Sequence, residues 1–186
     1  MTQHERITDE LLVLRCQEGD AAAFDQLVAR WQERLWRHAW RLTGSEDAAW
    51  DVLQETWIGV SRDIRRLNDA AAFGAWVYRI TSNKCRDWVR RQSRRRRAEA
   101  AYSEEARDMQ LEAAHQHEQA ATLRDALAQF PKRDRAILTL HYNERFSVGQ
   151  IADILQVPPG TVKSRLFYAR QRLRHFLEMT PDERSK

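Results

Sequence analysis

Cationic side chains near the C-terminus form the most informative chemical pattern in this sequence. Residues 161–176 contain no acidic residue, and apolar residues recur there at steps of four and three, the spacing of one buried helical stripe. The opposite face of such a helix offers only cations and hydrogen-bond donors, which suit the phosphates and base edges of DNA. We therefore predict that this helix binds double-stranded DNA. Its five cations are Lys163, Arg165, Arg170, Arg172 and Arg174.

The residues before this helix have the features of a helix-turn-helix. Ser147 and Gln150 have the spacing of a capping box, in which each side chain bonds the other residue's backbone N–H and fixes a helix start. Pro158 and Pro159 are expected to stop helical structure, so Thr161 is predicted to open the second helix with free N–H groups directed at a phosphate. Because the cap, turn and apolar stripe agree, a basic helix that is merely solvated is the less favoured interpretation.

Position along the predicted recognition helix separates two kinds of DNA contact. Lys163, Ser164 and Phe167 lie in its first turns, where side chains can reach base edges and read sequence. Other cations are expected to hold the DNA backbone, which adds affinity without sequence preference. These predicted backbone contacts are Arg165, Arg170 and Arg172.

Composition favours an all-α fold and limits the chemistry. The 186 residues include only 6 Gly and 4 Pro, too few for an all-β fold, and the net charge of +4 favours a polyanionic partner. Cys16 and Cys85 lie far apart, which predicts reduced thiols and no disulfide or zinc site. His115 and His117 lie in a polar segment, so no metal and no other cofactor is predicted. Without a long apolar run, we expect a cytoplasmic protein that does not insert into a membrane.

Helix-start and helix-stop residues divide the N-terminal half into helices. Thr8 is expected to cap a first helix that runs to about Glu18. Gly19 then suits a left-handed position, and Asp20 can cap the second helix. The Gly-Asp pair is therefore predicted to form a corner between two helices.

The same pairing of a helix-stop residue with a helix-start residue recurs later in the N-terminal half. Gly44 and Ser45 are expected to end the second helix and cap a third over roughly residues 46–61. A fourth helix is predicted from Phe73 and continues into residues 90–97, of which six are Arg.

These elements predict two small helical domains. Residues 1–97 form the first, and residues 98–121, rich in Ala and Glu, form a flexible linker. Residues 122–178 form a four-helix domain that ends in the helix-turn-helix, and residues 179–186 are a tail.

Four blocks of the sequence resemble one family. Residues 130–174 look like the promoter-reading C-terminal domain of extracytoplasmic-function (ECF) sigma factors. Residues 18–24 (EGDAAAF), 49–57 (AWDVLQETW) and 73–88 (FGAWVYRITSNKCRDW) are similar, in order and spacing, to the other conserved domain of that family. The resemblance implies a protein that binds core RNA polymerase and directs it to promoter DNA. It also implies an anti-sigma factor, often membrane-tethered, as a regulatory partner.

The resemblance further implies roles for residues in the N-terminal half. A helix with exposed carboxylates would dock on the clamp coiled coil of the largest polymerase subunit, a basic partner. The connection before Phe73 would form a pocket for a flipped base, and the helix after it would contact the separated strand and phosphates. The polymerase contacts would be Asp51, Gln54 and Glu55. The downstream promoter contacts would be Asn68, Asp69, Ala70, Asn83, Arg86 and Arg90.

Three residues depart from the family pattern. Many relatives carry an acidic residue where Trp50 lies, so polymerase affinity is altered or a regulatory contact is added. Gln150 replaces a common Glu and preserves the capping box. Gln156 lies in the turn where Gly is common, which costs on the order of 1 kcal/mol if the backbone there is left-handed.

Two other classes of protein are weaker candidates. A transcription regulator that binds an operator as a dimer would need a ligand pocket or a phosphoacceptor site, and the sequence has no pattern for either. An enzyme would need nucleophile, metal or nucleotide motifs, and the Asp, Glu and His residues are scattered without them. We therefore predict a protein that is not an enzyme.

Overall fold

The computed structural model describes residues 3–102 and 130–178, and every regular element within these two ranges is helical. The predicted all-α fold is confirmed. None of the helices in the described ranges has both the length and the apolar character needed to cross a membrane. The helices are α1 (Gln3–Gln17), α2 (Ala21–Thr43), α3 (Glu46–Asp63), α4 (Phe73–Tyr102), α5 (Lys132–Leu138), α6 (Val148–Leu155) and α7 (Pro159–Glu178).

The corner between α1 and α2 is built as predicted, but the start of α1 is not. Gly19 has a left-handed φ of 96°, and the Asp20 carboxylate accepts from the Ala23 N–H at 3.0 Å. Thr8 lies inside α1, where its hydroxyl donates to the His4 carbonyl at 3.0 Å. This back-bonding satisfies the hydroxyl without ending the helix, so the prediction that Thr8 caps α1 is wrong.

The corner between α2 and α3 repeats this chemistry. Gly44 has a left-handed φ of 76°, and the Ser45 hydroxyl accepts from the Ala48 N–H at 3.3 Å. The predictions that Gly44 ends α2 and that Ser45 caps α3 are confirmed. Helix α3 continues to Asp63, two residues beyond its predicted end.

Two single-turn 3₁₀ helices, Ile64–Arg66 and Ala70–Ala72, connect α3 to α4. The Gln17 side-chain amide donates to the Ile64 and Leu67 carbonyls at 3.0 and 2.7 Å. These bonds fix the connection against the end of α1.

The longest helix, α4, runs for 30 residues from Phe73 through the predicted arginine run. Its last residues extend into the predicted linker at 98–121. Residues 103–129, which include His115 and His117, lie outside the described ranges, as does the predicted tail at 179–186.

The C-terminal half begins with α5, which continues into a π-helical turn, Thr139–Asn143. Arg145 follows with a left-handed φ of 61°. The predicted capping box starts α6: the Ser147 hydroxyl accepts from the Gln150 N–H at 3.2 Å, and the Gln150 side chain accepts from the Ser147 N–H at 2.9 Å. Gln156 ends α6 with a left-handed φ of 54°, so the expected cost of about 1 kcal/mol applies.

The recognition helix α7 begins earlier than predicted. Pro159 is its first residue, and the Pro158 carbonyl accepts from the N–H groups of Thr161 and Val162 at 2.9 and 3.3 Å. Proline fits the first helical turn because that position needs no N–H partner. The expectations that Pro159 blocks the helix and that the Thr161 N–H is free are therefore wrong.

The two halves of the chain share one apolar core. The ring of Trp31 lies edge-on to Phe73 and Tyr78 at 5.4 and 6.2 Å, and Tyr78 lies edge-on to Phe146 at 5.5 Å. The cluster of buried residues continues from α1 to α7. The C-terminal half therefore packs against α2 and α4, an arrangement that the sequence patterns do not predict.

Candidate nucleic-acid interface

The exposed face of α7 carries the side chains predicted to contact bases. Lys163, Ser164 and Phe167 are exposed, whereas Thr161 is half-buried. Tyr168 is also exposed, and its ring meets that of Phe167 edge-on at 5.6 Å. The predicted contact set omits Tyr168, although its position four residues after Ser164 on the polar face is a signal that could have identified it.

The arginines predicted to hold the DNA backbone have partners within the chain. Arg170 donates to the Tyr142 hydroxyl at 2.6 Å, and the guanidinium of Arg172 lies 5.1 Å from the centre of the Phe130 ring. Arg165 approaches a carboxylate of α5 at 3.8 Å. Arg170 and Arg172 remain exposed and Arg165 is half-buried, so these contacts leave the cations within reach of a phosphate.

The predicted base pocket is divided between two places. Asn68 and Asp69 line an open depression together with Trp76, and the Asp69 carboxylate accepts from the Ala71 N–H at 2.9 Å. Ala70 lines a separate cleft between the two halves of the chain. The structure thus brings two of the three predicted pocket residues together.

The strand-contacting residues of α4 face the C-terminal half. The Arg86 guanidinium donates to the Leu155 carbonyl at 2.9 Å and to the Asn83 side-chain oxygen at 3.0 Å. Leu155 is the last residue of α6. The first helix of the helix-turn-helix therefore covers part of the surface to which a separated DNA strand is predicted to bind. Arg90, one turn further along α4, is exposed.

A partly buried ion pair joins the two halves. The Glu144 side chain is only 8% exposed and lies 2.5 Å from the guanidinium of Arg34 in α2. That guanidinium also lies 5.0 Å from the centre of the Trp31 ring. Burial, and after it the negative charge of Glu144, raise the pKa of the Tyr78 hydroxyl far above its ordinary value. Tyr78 is therefore protonated at neutral pH beside Glu144.

The helix predicted to bind polymerase exposes two of its three predicted contacts. Asp51 and Gln54 are exposed. Glu55 instead forms ion pairs with Lys84 and Arg91 of α4, at 3.1 and 3.6 Å. These pairs join α3 to α4, so Glu55 has a role within the fold that the sequence does not predict.

The two tryptophans of α3 have different environments. Trp57 is half-buried and its ring lies edge-on to Phe24 at 6.0 Å. Trp50 is 47% exposed. The structure therefore assigns Trp57 to the core and Trp50 to the surface.

Two family models match successive parts of the chain. Residues 27–95 match the family described as Sigma-70 region 2, a range that contains α3 and most of α4. Residues 120–173 match the family described as Sigma-70, region 4, and this range contains the helix-turn-helix.

Several curated proteins are similar over nearly the whole chain. The ECF RNA polymerase sigma-E factor of Haemophilus influenzae is 31% identical over 94% of this chain and 97% of its own length. The RNA polymerase sigma-H factor of Pseudomonas aeruginosa is 33% identical, with 88% and 90% coverage. The ECF RNA polymerase sigma-E factor of Escherichia coli is 32% identical, with 90% and 93% coverage.

Solved structures share the fold. CnrH in complex with the cytosolic domain of CnrY matches with a TM-score of 0.60 at 25% identity, over 92% of this chain and 97% of that one. The sigma factor RpoE in complex with the anti-sigma factor NepR from Bartonella quintana matches with a TM-score of 0.62 at 24% identity, over 84% and 97%. At that identity, the second match supports the fold alone.

Proposed function

Since the chain belongs to the extracytoplasmic-function sigma factors of bacterial RNA polymerase, we propose that three of its surfaces divide the work of promoter recognition. As an alternative sigma factor, it binds core RNA polymerase and directs promoter-specific transcription initiation. In this proposal α3 binds polymerase, α4 and the connection before it read and melt the downstream element, and α7 reads the upstream element. The observation that carries the proposal is the exposure of Lys163 and Ser164 on α7, opposite its buried stripe.

The downstream element is proposed to be read beside α4. Asn68 and Asp69 would receive a flipped base in the depression that they line, and Ala70 would border that base. Asn83 and Arg86 would bond the separated strand, and the exposed Arg90 would hold a phosphate.

Replacing Asn83 with Ala is expected to impair strand separation more than promoter binding. The amide is expected to bond an unpaired base, a contact that exists only after the duplex opens. Permanganate reactivity of thymines in the melted region should therefore fall in the Asn83→Ala holoenzyme, while closed-complex formation stays nearly intact. Asn143→Ala, at an exposed position in the C-terminal half, is the matched control. Equal thymine reactivity in the Asn83→Ala variant and the parent would remove Asn83 from the mechanism.

The upstream element is proposed to be read by α7. Thr161, in the first turn of α7, would lie beside a phosphate, and Lys163, Ser164 and Phe167 would approach base edges. The cations at the flanks would hold phosphates of the DNA backbone. Those cations are Arg165, Arg170 and Arg172.

Selection of binding sites from random DNA tests this division directly. Lys163→Ala should relax preference at one or two base positions and cost about 1–3 kcal/mol on the preferred site. Arg172→Gln removes the charge that lies over the Phe130 ring while keeping a polar side chain. It should weaken all sites alike and lower the salt dependence of binding by about one phosphate equivalent. If Lys163→Ala leaves the selected DNA consensus unchanged and Arg172→Gln alters it, then Arg172 faces the bases and Lys163 faces the DNA backbone.

For Asn83 and Arg86 to bind a separated DNA strand, the two halves of the chain must move apart. Arg86 bonds Leu155, and α6 covers part of the α4 surface that would receive the DNA strand. We infer that the closed arrangement is a state in which the upstream-reading helix is accessible and the melting surface is partly covered, at Asn83 and Arg86. Opening would break the Arg34–Glu144 pair and expose Phe146.

We also propose that an anti-sigma factor regulates this chain. RpoE of Bartonella quintana, which shares the fold, is in complex with the anti-sigma factor NepR. Like other sigma factors, the chain would act by binding, so catalysis would belong to the polymerase and both would work in the cytoplasm. Co-purification of a protein that blocks core binding tests this proposal.

A further inference from the structure

Helix α1 is apolar on two opposite faces. Its inner face packs into the core through Leu12 and Val13, which are almost fully buried. Its outer face carries three large aliphatic side chains, and we name it the outer stripe: Ile7 (49% exposed), Leu11 (57%) and Leu14 (49%). A surface helix of a globular protein ordinarily keeps its apolar residues on the core side alone. The outer stripe therefore indicates that α1 has a second apolar neighbour.

The outer stripe is one continuous strip along two helical turns. Ile7, Leu11 and Leu14 lie at i, i+4 and i+7, and residues three or four apart on a helix are neighbours. Within residues 3–102 and 130–178, none of the three belongs to a buried core cluster. Steps of four and three residues are those of the seam between two helices of a coiled coil. A second helix therefore fits the stripe.

The charges beside the stripe indicate which helix that is. When Leu11 occupies the a position of a heptad, Glu10 occupies g and Arg15 occupies the following e position. In a parallel pair of helices, charges at g and e face each other across the seam and set the choice of partner. In a parallel pair of α1 helices, Glu10 of each copy thus faces Arg15 of the other. The stripe and its charged borders are complementary to themselves.

Both charged side chains can make this contact without disturbing the fold. Glu10 is half-buried and forms no ion pair with any other described residue. The Arg15 side chain is half exposed, and its Nε and Nη2 donate to the Asp20 carboxylate at 2.9 and 2.6 Å. The other amino group of the guanidinium, Nη1, is left for a second carboxylate. Pairing between copies therefore leaves the corner between α1 and α2 intact.

We propose that the outer stripe binds the outer stripe of a second copy of this chain, with the two α1 helices parallel and a Glu10–Arg15 pair on each side of the seam. Because both copies use the same patch, the contact closes at two copies and does not extend into a filament. Three aliphatic side chains per copy are far fewer residues than a standard interface contains, so the dimer is weak and reversible. It uses neither α3 nor α7.

Sedimentation equilibrium of the full chain, from about 1 µM to about 300 µM, tests the proposal. The average mass of the parent should rise toward that of a dimer. Leu11→Lys should raise the dissociation constant by at least about tenfold, because it sets two ammonium groups against each other at the seam. Ile58→Lys, at an aliphatic residue of α3 that is 60% exposed, is the matched control and should associate like the parent. A monomeric parent at every concentration, or parental association of Leu11→Lys, would overturn the proposal.

Exchanging the charges tests the parallel pairing. Glu10→Arg and Arg15→Glu should each weaken self-association by about tenfold at low salt, because each sets like charges against each other on both sides of the seam. An equimolar mixture of the two variants restores opposite charges at both places and should recover the parental dimer. Mixing cannot rescue a misfolded chain, so recovery distinguishes lost pairing from lost fold. If the mixture stays monomeric while the parent dimerises, or if the parent grows beyond two copies, the parallel two-fold contact is wrong.

Discussion

Replacing Asp51 and Gln54 together with Lys is expected to abolish association with core polymerase. Both side chains are exposed on α3, and the change adds three positive charges to a surface proposed to meet a basic partner. Like charges facing each other across an interface cost several kcal/mol. The dissociation constant should therefore rise by at least about a hundredfold, which native electrophoresis of chain and core enzyme measures.

The design of this variant follows from the structure. Glu55 is left unchanged because its replacement by Lys would place a third cation beside Lys84 and Arg91 and loosen α3 from α4. Asp25→Lys/Gln26→Lys on the exposed side of α2 changes the same residue types and adds the same charge. If the α3 variant keeps its helicity and still binds like the α2 control, the docking surface is not on α3.

Reversing the charge of Glu144 is expected to open the chain. Glu144→Lys would place an ammonium group against Arg34 in a site where the side chain is almost fully buried. Removing one partner of a fully buried pair costs about 3–5 kcal/mol, which is an upper bound for this partly buried pair, and a like charge adds repulsion. The radius of gyration from small-angle scattering should rise. Free protein should also bind single-stranded downstream-element DNA at least about tenfold more tightly, because Arg86 and Asn83 are uncovered.

A charge swap separates opening from unfolding. Arg34→Glu combined with Glu144→Lys restores an ion pair across the halves and should return both the radius and the DNA affinity toward parental values. Glu33→Lys, which breaks an exposed pair with Arg37 on the same helix, should change neither, since exposed pairs contribute little. If the Glu144→Lys variant keeps both the parental radius of gyration and the parental DNA affinity, the pair of Arg34 and Glu144 does not hold the halves together.

Local chemistry made much of the fold predictable. Asp20 and Ser45 bond backbone groups within three residues of themselves, so their sequence neighbours contain all the information that the cap needs. The predictions for Thr8 and Pro159 are wrong because each residue type is compatible with two states. A Thr can cap a helix or bond back inside it, and a Pro can end a helix or begin one.

The contacts between the halves could not be predicted from local patterns. Arg34 and Glu144 are separated by 110 residues, and each is an ordinary surface residue type in its own helix or turn. The same holds for Arg86, whose positive charge suggests a nucleic-acid contact and whose hydrogen bond to α6 appears only when the chain is folded. Glu55 is another example, since its partners lie in α4. The sequence thus identifies candidate contact residues, but it does not show which of them form contacts within the closed chain.

Mapping transcription start sites with purified core polymerase on fragmented genomic DNA tests whether this chain directs promoter-specific initiation. With the parent chain, initiation should be confined to sites that share an upstream and a downstream element at constant spacing, and Lys163→Ala should relax only the upstream one. Core enzyme with the Asp51→Lys/Gln54→Lys variant should initiate no more selectively than core enzyme alone. If the start sites with the parent chain are scattered and indistinguishable from those of core enzyme alone, the chain does not direct polymerase to promoters.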